Sequence, residues 1–193
     1  MPTYIIEHLE PELFEWCIIE YENISKIAGK ENLFFANIKN NKDKKILKKY
    51  GNVFSKSVAE LKLNNLCMLD LNSEKTFSPE DKNKFQYFVF GGILGDNPPQ
   101  HRTKELINKL KKNKIRFEIR NLGKEQMSTD TAVYVTKKIL DGKKFDEIKF
   151  FDNLEIEIND NESVVLPYRY VLEDGRPLMS RKIIDYLKKK EGL

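Results

Sequence analysis

Two nearly continuous apolar runs, residues 65–71 (NLCMLDL) and 85–90 (FQYFVF), constrain this chain more than any other feature. A short run that is apolar on both sides offers no face to water. It reads as a strand covered above and below by other elements, as in the middle of a parallel sheet. Strand and helix patterns alternate around these runs. Residues 3–8, 32–38 and 115–120 read as further strands. A Pro11-led stretch carries Leu13, Trp16, Cys17, Glu20, Ile24 and Ile27 near helical spacing and closes on Gly29. Residues 42–50 form a short basic helix ending at Gly51, and 129–140 a helix stopped by Gly142. A helix from Arg102 to about Lys112 puts Leu106, Ile107 and Leu110 on one face. Residues 52–63 fit no single pattern. The alternation predicts an α/β fold with a mostly parallel sheet.

The last fifty residues break that rhythm. Residues 148–151 and 154–158 read as strands with an alternating EIEI pattern. Pro167 demotes 164–172 to an edge or irregular segment, and 183–190 is a short helix with a solvated Lys tail. With no repeat and no disordered linker, the chain is expected to form one domain over residues 1–193, with 148–193 as a C-terminal extension.

Charge narrows the function classes only a little. With 34 basic and 30 acidic residues the net charge is +4, compatible with RNA or a ribosome but not diagnostic of either. The charge is segregated: residues 39–49 and 104–114 are basic, and 7–22 are acidic. Cys17 and Cys67 stand apart in apolar runs, so neither a disulfide framework nor a metal site is expected. Residues 1–9 lack the basic start of a signal peptide, and no apolar run approaches the roughly 20 residues of a membrane span. A soluble, cytoplasmic protein is expected.

Chemistry has two places to reside, each a loop after the carboxyl end of an inner strand, where open α/β sheets bind ligands. The first runs Gly91-Gly92-Ile93-Leu94-Gly95-Asp96-Asn97-Pro98-Pro99. It is neither a dinucleotide fingerprint nor a P-loop. Its glycines permit close backbone approach, Ile93 and Leu94 suit a purine ring or a methionine chain, and Asp96 is a rigidly held carboxylate suited to a general base or a cation holder. The second loop, residues 120–132, is an N-capped helix start with Ser128, Thr129 or Asp130 as cap, and a helix start also offers free N–H groups.

The string Phe88-Val89-Phe90-Gly91-Gly92-Ile93-Leu94-Gly95-Asp96-Asn97-Pro98-Pro99, followed by Arg102-Thr103-Lys104-Glu105-Leu106, resembles the signature of a small SPOUT-class family. Its best understood members are arginine methyltransferases acting on a small-subunit ribosomal protein; archaeal members are described as predicted RNA methyltransferases. Three further segments agree: Tyr4 to His8 with Glu15-Trp16, Leu122-Gly123 with Gln126 to Ala132, and Pro167 to Leu172. The resemblance extends to about Leu172, while residues 39–63 depart from it.

The resemblance implies a SPOUT-type sheet with a C-terminal deep trefoil knot, against which residues 148–193 pack, and S-adenosylmethionine as cofactor. Carried over, Gly91, Gly92, Ile93, Leu94 and Gly95 contact the adenosine and sulfonium region. Leu122, Gly123 and Met127 wall the adenine with Thr131 nearby, and Asp70 ends a third wall. A guanidinium nucleophile, with its pKa above 12, needs carboxylates to orient it and take up its charge. Among Glu7, Glu10, Glu12, Glu15 and Asp96, the choice for catalysis falls on Asp96 and Glu7. His8, Glu15, Arg102 and Arg169 are the substrate contacts. Arg102 grips substrate or the cofactor carboxylate, or pairs with an acid one turn on; Arg169 reaches the site or structures the exit from the knot. The substrate is an arginine of a small-subunit ribosomal protein. The alternatives are an RNA acceptor, served by the Lys-rich helices, and a non-catalytic cofactor-binding ribosome factor. A monomer is expected rather than a knot-mediated dimer.

Overall fold

The computed structural model describes residues 1–92, 102–159 and 161–191. Among them, β1 (Thr3–His8), β2 (Leu33–Ala36), β3 (Asn52–Val53), β4 (Leu66–Leu69), β5 (Tyr87–Gly92) and β6 (Phe117–Arg120) form one sheet in the order β3-β2-β1-β5-β4-β6. Every pairing in it is parallel. Five helices accompany them: α1 (Glu15–Ala28), α2 (Asn41–Leu47), α3 (Arg102–Lys112), α4 (Thr129–Leu140) and α5 (Arg181–Glu191). Gly29 closes α1 at φ +82°, donating its N–H to the Ser25 carbonyl at 3.0 Å.

The period of two along β1 sorts the layers. Tyr4 and Ile6 pack in one buried cluster with Cys17, Tyr21 and Ile24 of α1 and Val133 and Ile139 of α4. Ile5 packs in the opposite cluster with Leu106 and Leu110 of α3 and with Val58 and Ala59, which lie in a 3-10 turn. Ile5 and Ile6 are both fully buried. Burying each is worth about 1.5–3 kcal/mol relative to exposure. The apolar runs that read as two-sided strands are therefore covered on both faces, by α1 and α4 on one and by α3 on the other.

The connections explain where a ligand can enter. From β1 the chain moves outward to β2 and β3. From β5, the strand on the other side of β1, it crosses β4 and reaches β6 at the opposite edge. Connections leaving β1 and β5 thus diverge, and a crevice opens between the carboxyl ends of these two strands.

The C-terminal part corrects two expectations. The strands expected at 148–151 and 154–158 are one strand, β7 (Phe150–Asn159), with Asn153 at φ +56° and a register shift between Asp152 and Leu154. The segment expected at an edge is β8 (Glu162–Glu173), central in a three-stranded antiparallel sheet β7-β8-β9, where β9 is Arg176–Pro177. Pro167 is tolerated for two local reasons. It lies opposite the bulged part of β7, and β9 pairs only with Leu172 and Glu173, leaving that flank of Pro167 unpaired. Helix α5 docks on α1, where the Lys182 Nζ lies 2.7 and 2.8 Å from the Glu22 carboxylate oxygens.

Candidate active site

The register of β1 on β5 places Glu7 level with Gly91 and His8 level with Gly92, at the carboxyl end of both strands. Successive side chains of a strand point to opposite faces, so these neighbours have different surroundings. The Glu7 carboxylate accepts hydrogen bonds from the Ser57 hydroxyl at 2.5 Å and from the Val58 amide at 2.9 Å. Burial pushes its pKa above the ordinary carboxylate value, against the opposing pull of those two donors and of the Lys109 and Lys39 charges. On the other face, His8 Nδ1 lies 2.9 Å from the Tyr21 hydroxyl, and burial lowers the imidazole pKa, favouring the neutral ring. Asn37, held at φ +66°, donates its side-chain amide to the His8 carbonyl at 2.8 Å and so fixes the strand's end.

The neighbouring strand ends form the rest of the rim. Asp70, just past β4, donates its backbone N–H to the Arg120 carbonyl at 2.9 Å, and its carboxylate accepts from both the Asn72 amide and the Asn72 side chain. Asn121 is stitched on both sides: its N–H donates to the Lys75 carbonyl at 2.8 Å, and its carbonyl accepts from the Phe77 N–H at 2.9 Å. Asp70 is thereby held level with the end of β6, and Leu122, which follows Asn121, is buried. Gly123 lies at φ +87°, and a Cβ there would come within 2.8 Å of the Phe145 ring, so both its backbone and its space require glycine. Met127 packs against the core and bridges to Arg169, and the Thr131 hydroxyl is hydrogen-bonded to the Ser128 oxygen at 2.8 Å. The ends of β1, β5, β4 and β6 are consecutive in the sheet, so this rim spans three strand spacings, about 14 Å.

A buried ion pair holds the β6 end. Arg120 donates from Nε and Nη2 to the Asp81 carboxylate at 3.0 and 3.1 Å, and its guanidinium stacks over Phe85. Burial opposes ionisation of Asp81, but Arg120, Lys84 and the Ser78 N–H together outweigh it and hold the carboxyl below its ordinary value.

Sequence reasoning passed over Glu20 as a functional residue. It is fully buried on the inner face of α1 and accepts a hydrogen bond from the Asp130 N–H at 3.2 Å, at the start of α4. Burial, then the nearby Asp130 charge, drives its pKa well above the ordinary carboxylate value. Asp130 in turn accepts from the Ser128 hydroxyl at 2.6 Å and the Asn23 amide at 2.8 Å. The signal was present in the sequence: an acid spaced among Cys17, Tyr21 and Ile24 on an apolar helix face needs a buried partner.

The remaining candidates are placed elsewhere or lie outside the described residues. Glu15 is exposed at the start of α1. Arg169 sends its guanidinium to Asp152 at 2.7 and 2.9 Å and over the Phe150 ring, although its backbone N–H donates to the Gln126 carbonyl at 2.8 Å beside Met127. Ile93, Leu94, Gly95, Asp96 and the side chain of Arg102 lie outside the described residues. Among the described residues no group of three potential metal-binding side chains occurs, and no helix is long and apolar enough to cross a membrane.

Known proteins share both this sequence and this architecture. The protein arginine N-methyltransferase SFM1 of Saccharomyces cerevisiae is 40% identical over 203 residues, covering 96% of this chain and 94% of the yeast protein. The crystal structure of the yeast arginine methyltransferase SFM1 complexed with SAM superposes with a TM-score of 0.89 at 38% identity, covering 100% of this chain and 92% of that one. The crystal structure of the dual specific Trm10 from Thermococcus kodakaraensis shares the fold at a TM-score of 0.60 and 16% identity, over 76% of this chain and 96% of that one. The sequence profile of the family described as protein arginine N-methyltransferase SFM1-like matches residues 3–192, and the chain belongs to that family.

Proposed function

We propose that the arginine methylated by this S-adenosylmethionine-dependent protein arginine methyltransferase belongs to a small-subunit ribosomal protein, and that it is presented at the crevice between β1 and β5. The observation that carries the site is the register setting Glu7 level with Gly91 and His8 level with Gly92 at the point where connections diverge. The ribosomal assignment is supported by the resemblance of the Gly-Gly-Ile-Leu-Gly-Asp string and its companion segments. That resemblance likewise supports a trefoil knot, in keeping with the stitching of Asn121 to the 75–77 segment and of Gln126 to Arg169. It also supports action as a monomer in the cytoplasm.

The residues fit the cofactor. Leu69, Leu122 and Met127 offer an apolar flank, Ser128 and Thr131 offer hydroxyls, and the paired glycines let backbone approach closely. When bound, the cofactor supplies a sulfonium methyl carbon for in-line displacement. The chain's own task is to orient the guanidinium and accept its charge. A carboxyl raised above its usual value titrates closer to working pH and is the better proton acceptor there, and burial sets Glu7 in that state. Asp96, four positions past the end of β5 in the sequence, is the second carboxylate of this reading. A neutral His8 places no positive charge against the substrate cation.

The test uses ribosomes from cells lacking this protein and radiolabelled S-adenosylmethionine. Label in a small-subunit protein, abolished by Arg→Lys at the target, is the expected result. Label confined to RNA would overturn the arginine reading.

A further inference from the structure

Beside the crevice, on the Glu7 face of the sheet, lies a cleft of about 410 Å³. Its rim is built from segments far apart in the sequence: Lys39, past the end of β2, and Lys109, Lys112 and Asn113 from the end of α3. Its floor is the 3-10 turn containing Ser57 and Glu60. The lysines are exposed. Lys109 and Lys112 form no ion pair with a described carboxylate, and Lys39 spends one of its three donors on the Ser55 carbonyl at 2.7 Å. The one carboxylate in the lining, Glu60, already accepts the Ser57 N–H at 2.9 Å. Asn113 donates its side-chain amide to the Ala59 carbonyl at 2.7 Å, which holds α3 against the turn and fixes the cleft's width.

We infer that this cleft is a docking site for the phosphodiester backbone of RNA, next to the proposed acceptor crevice. The inference rests on the ribosomal reading above, under which a substrate met within its subunit brings RNA next to the crevice. Three observations favour a polyanion over a small acid. The volume takes a phosphate with its sugar and leaves a lone carboxylate loosely held. The positive charge does not stop at the cleft: Lys42, Lys44 and Lys45 of α2 follow Lys39 closely in the chain, and Lys109 and Lys112, three apart, share one face of α3. Lysines contact phosphates without reading bases. The cleft is also joined to the crevice, since Ser57 on its floor donates to Glu7.

The test is binding, read without methyl transfer. The full-length protein is titrated into a fluorescent single-stranded 20-nucleotide RNA, followed by anisotropy from 0.05 to 0.3 M monovalent salt. The combined variant Lys39→Ala, Lys109→Ala, Lys112→Ala is expected to lower the salt slope by about 2 and to bind roughly 50-fold more weakly at 0.15 M salt. A matched triple alanine variant at Lys26, Lys137 and Lys143, away from the cleft, is expected to bind as wild type does. Equal weakening by both sets, unchanged binding by the cleft variant, or tighter binding of a polyglutamate peptide than of the RNA would each overturn the inference. Retained RNA binding with no label in any ribosomal protein would overturn the substrate reading instead.

Discussion

Glu7 stands level with Gly91 across the seam between β1 and β5, with both of its carboxylate oxygens engaged by the Ser57–Val58 turn. The acid is thus held by the turn that floors the neighbouring cleft while its strand runs beside the glycine pair. Replacing Glu7 with Ala leaves the Val58 N–H and the Ser57 hydroxyl without their buried acceptor, at a cost of about 1–3 kcal/mol. Turnover is expected to fall by about 100-fold or more, the contribution typical of a positioned proton acceptor. Glu7→Gln preserves much of the stability but not the turnover. Urea denaturation with a radiometric assay reads both, and a Gln variant with full turnover would remove Glu7 from the chemistry.

Glu20 gives a stability–pH signature of its own. Its folded pKa is raised, by burial and then by Asp130. A raised acid contributes stability that is fully present below its unfolded value, near 4.5, and is lost as pH rises through the folded value. Glu20→Gln removes this titration. The stability difference between wild type and variant should therefore shrink or change sign as pH climbs from 4.5 toward 8. Urea midpoints across that range check it, and a difference independent of pH would contradict the buried setting.

The Arg120–Asp81 pair behaves in the opposite sense. Asp81 is held below its ordinary value, so its contribution is present above about pH 4 and is lost as pH falls through the folded value. Arg120→Met leaves the buried Asp81 carboxylate with only Lys84 at 3.2 Å and the Ser78 N–H, and should cost about 3 kcal/mol, whereas Arg120→Met with Asp81→Leu should recover much of that loss. A double-mutant cycle measures the coupling, and additive single effects would show the pair to be inert.

Gly123→Ala confronts both a positive φ and the Phe145 ring. We expect a loss of about 1–3 kcal/mol in stability and S-adenosylmethionine binding weakened about tenfold in calorimetry. Adding Phe145→Leu should relieve the contact but not the backbone strain, so recovery is partial. Wild-type affinity in Gly123→Ala would separate this loop from the cofactor.

The sequence by itself determined the parallel α/β class and most of the element positions. The two-sided apolar runs at β4 and β5, the helical stripe of α1 and the glycine stops at Gly29 and Gly142 are local signals, set by chain periodicity and backbone conformation. It also carried the family resemblance, because the glycine-rich string after β5 is contiguous. Tertiary structure alone decided what those residues face. Strand order placed β5 beside β1, which made Glu7 and Gly91 neighbours although 84 positions separate them. The same pairing turned Glu7 toward Ser57 and His8 toward Tyr21. Glu20 became a buried partner of α4 only once α1 and α4 packed together, and Pro167 was accommodated because its hairpin partner β7 bulges opposite it, which the residues around Pro167 do not show. Periodicity states which face of an element is apolar; only long-range packing states which other element covers it, and the directions in which Glu7, His8 and Glu20 are shifted, the crevice and the basic cleft all follow from that second decision.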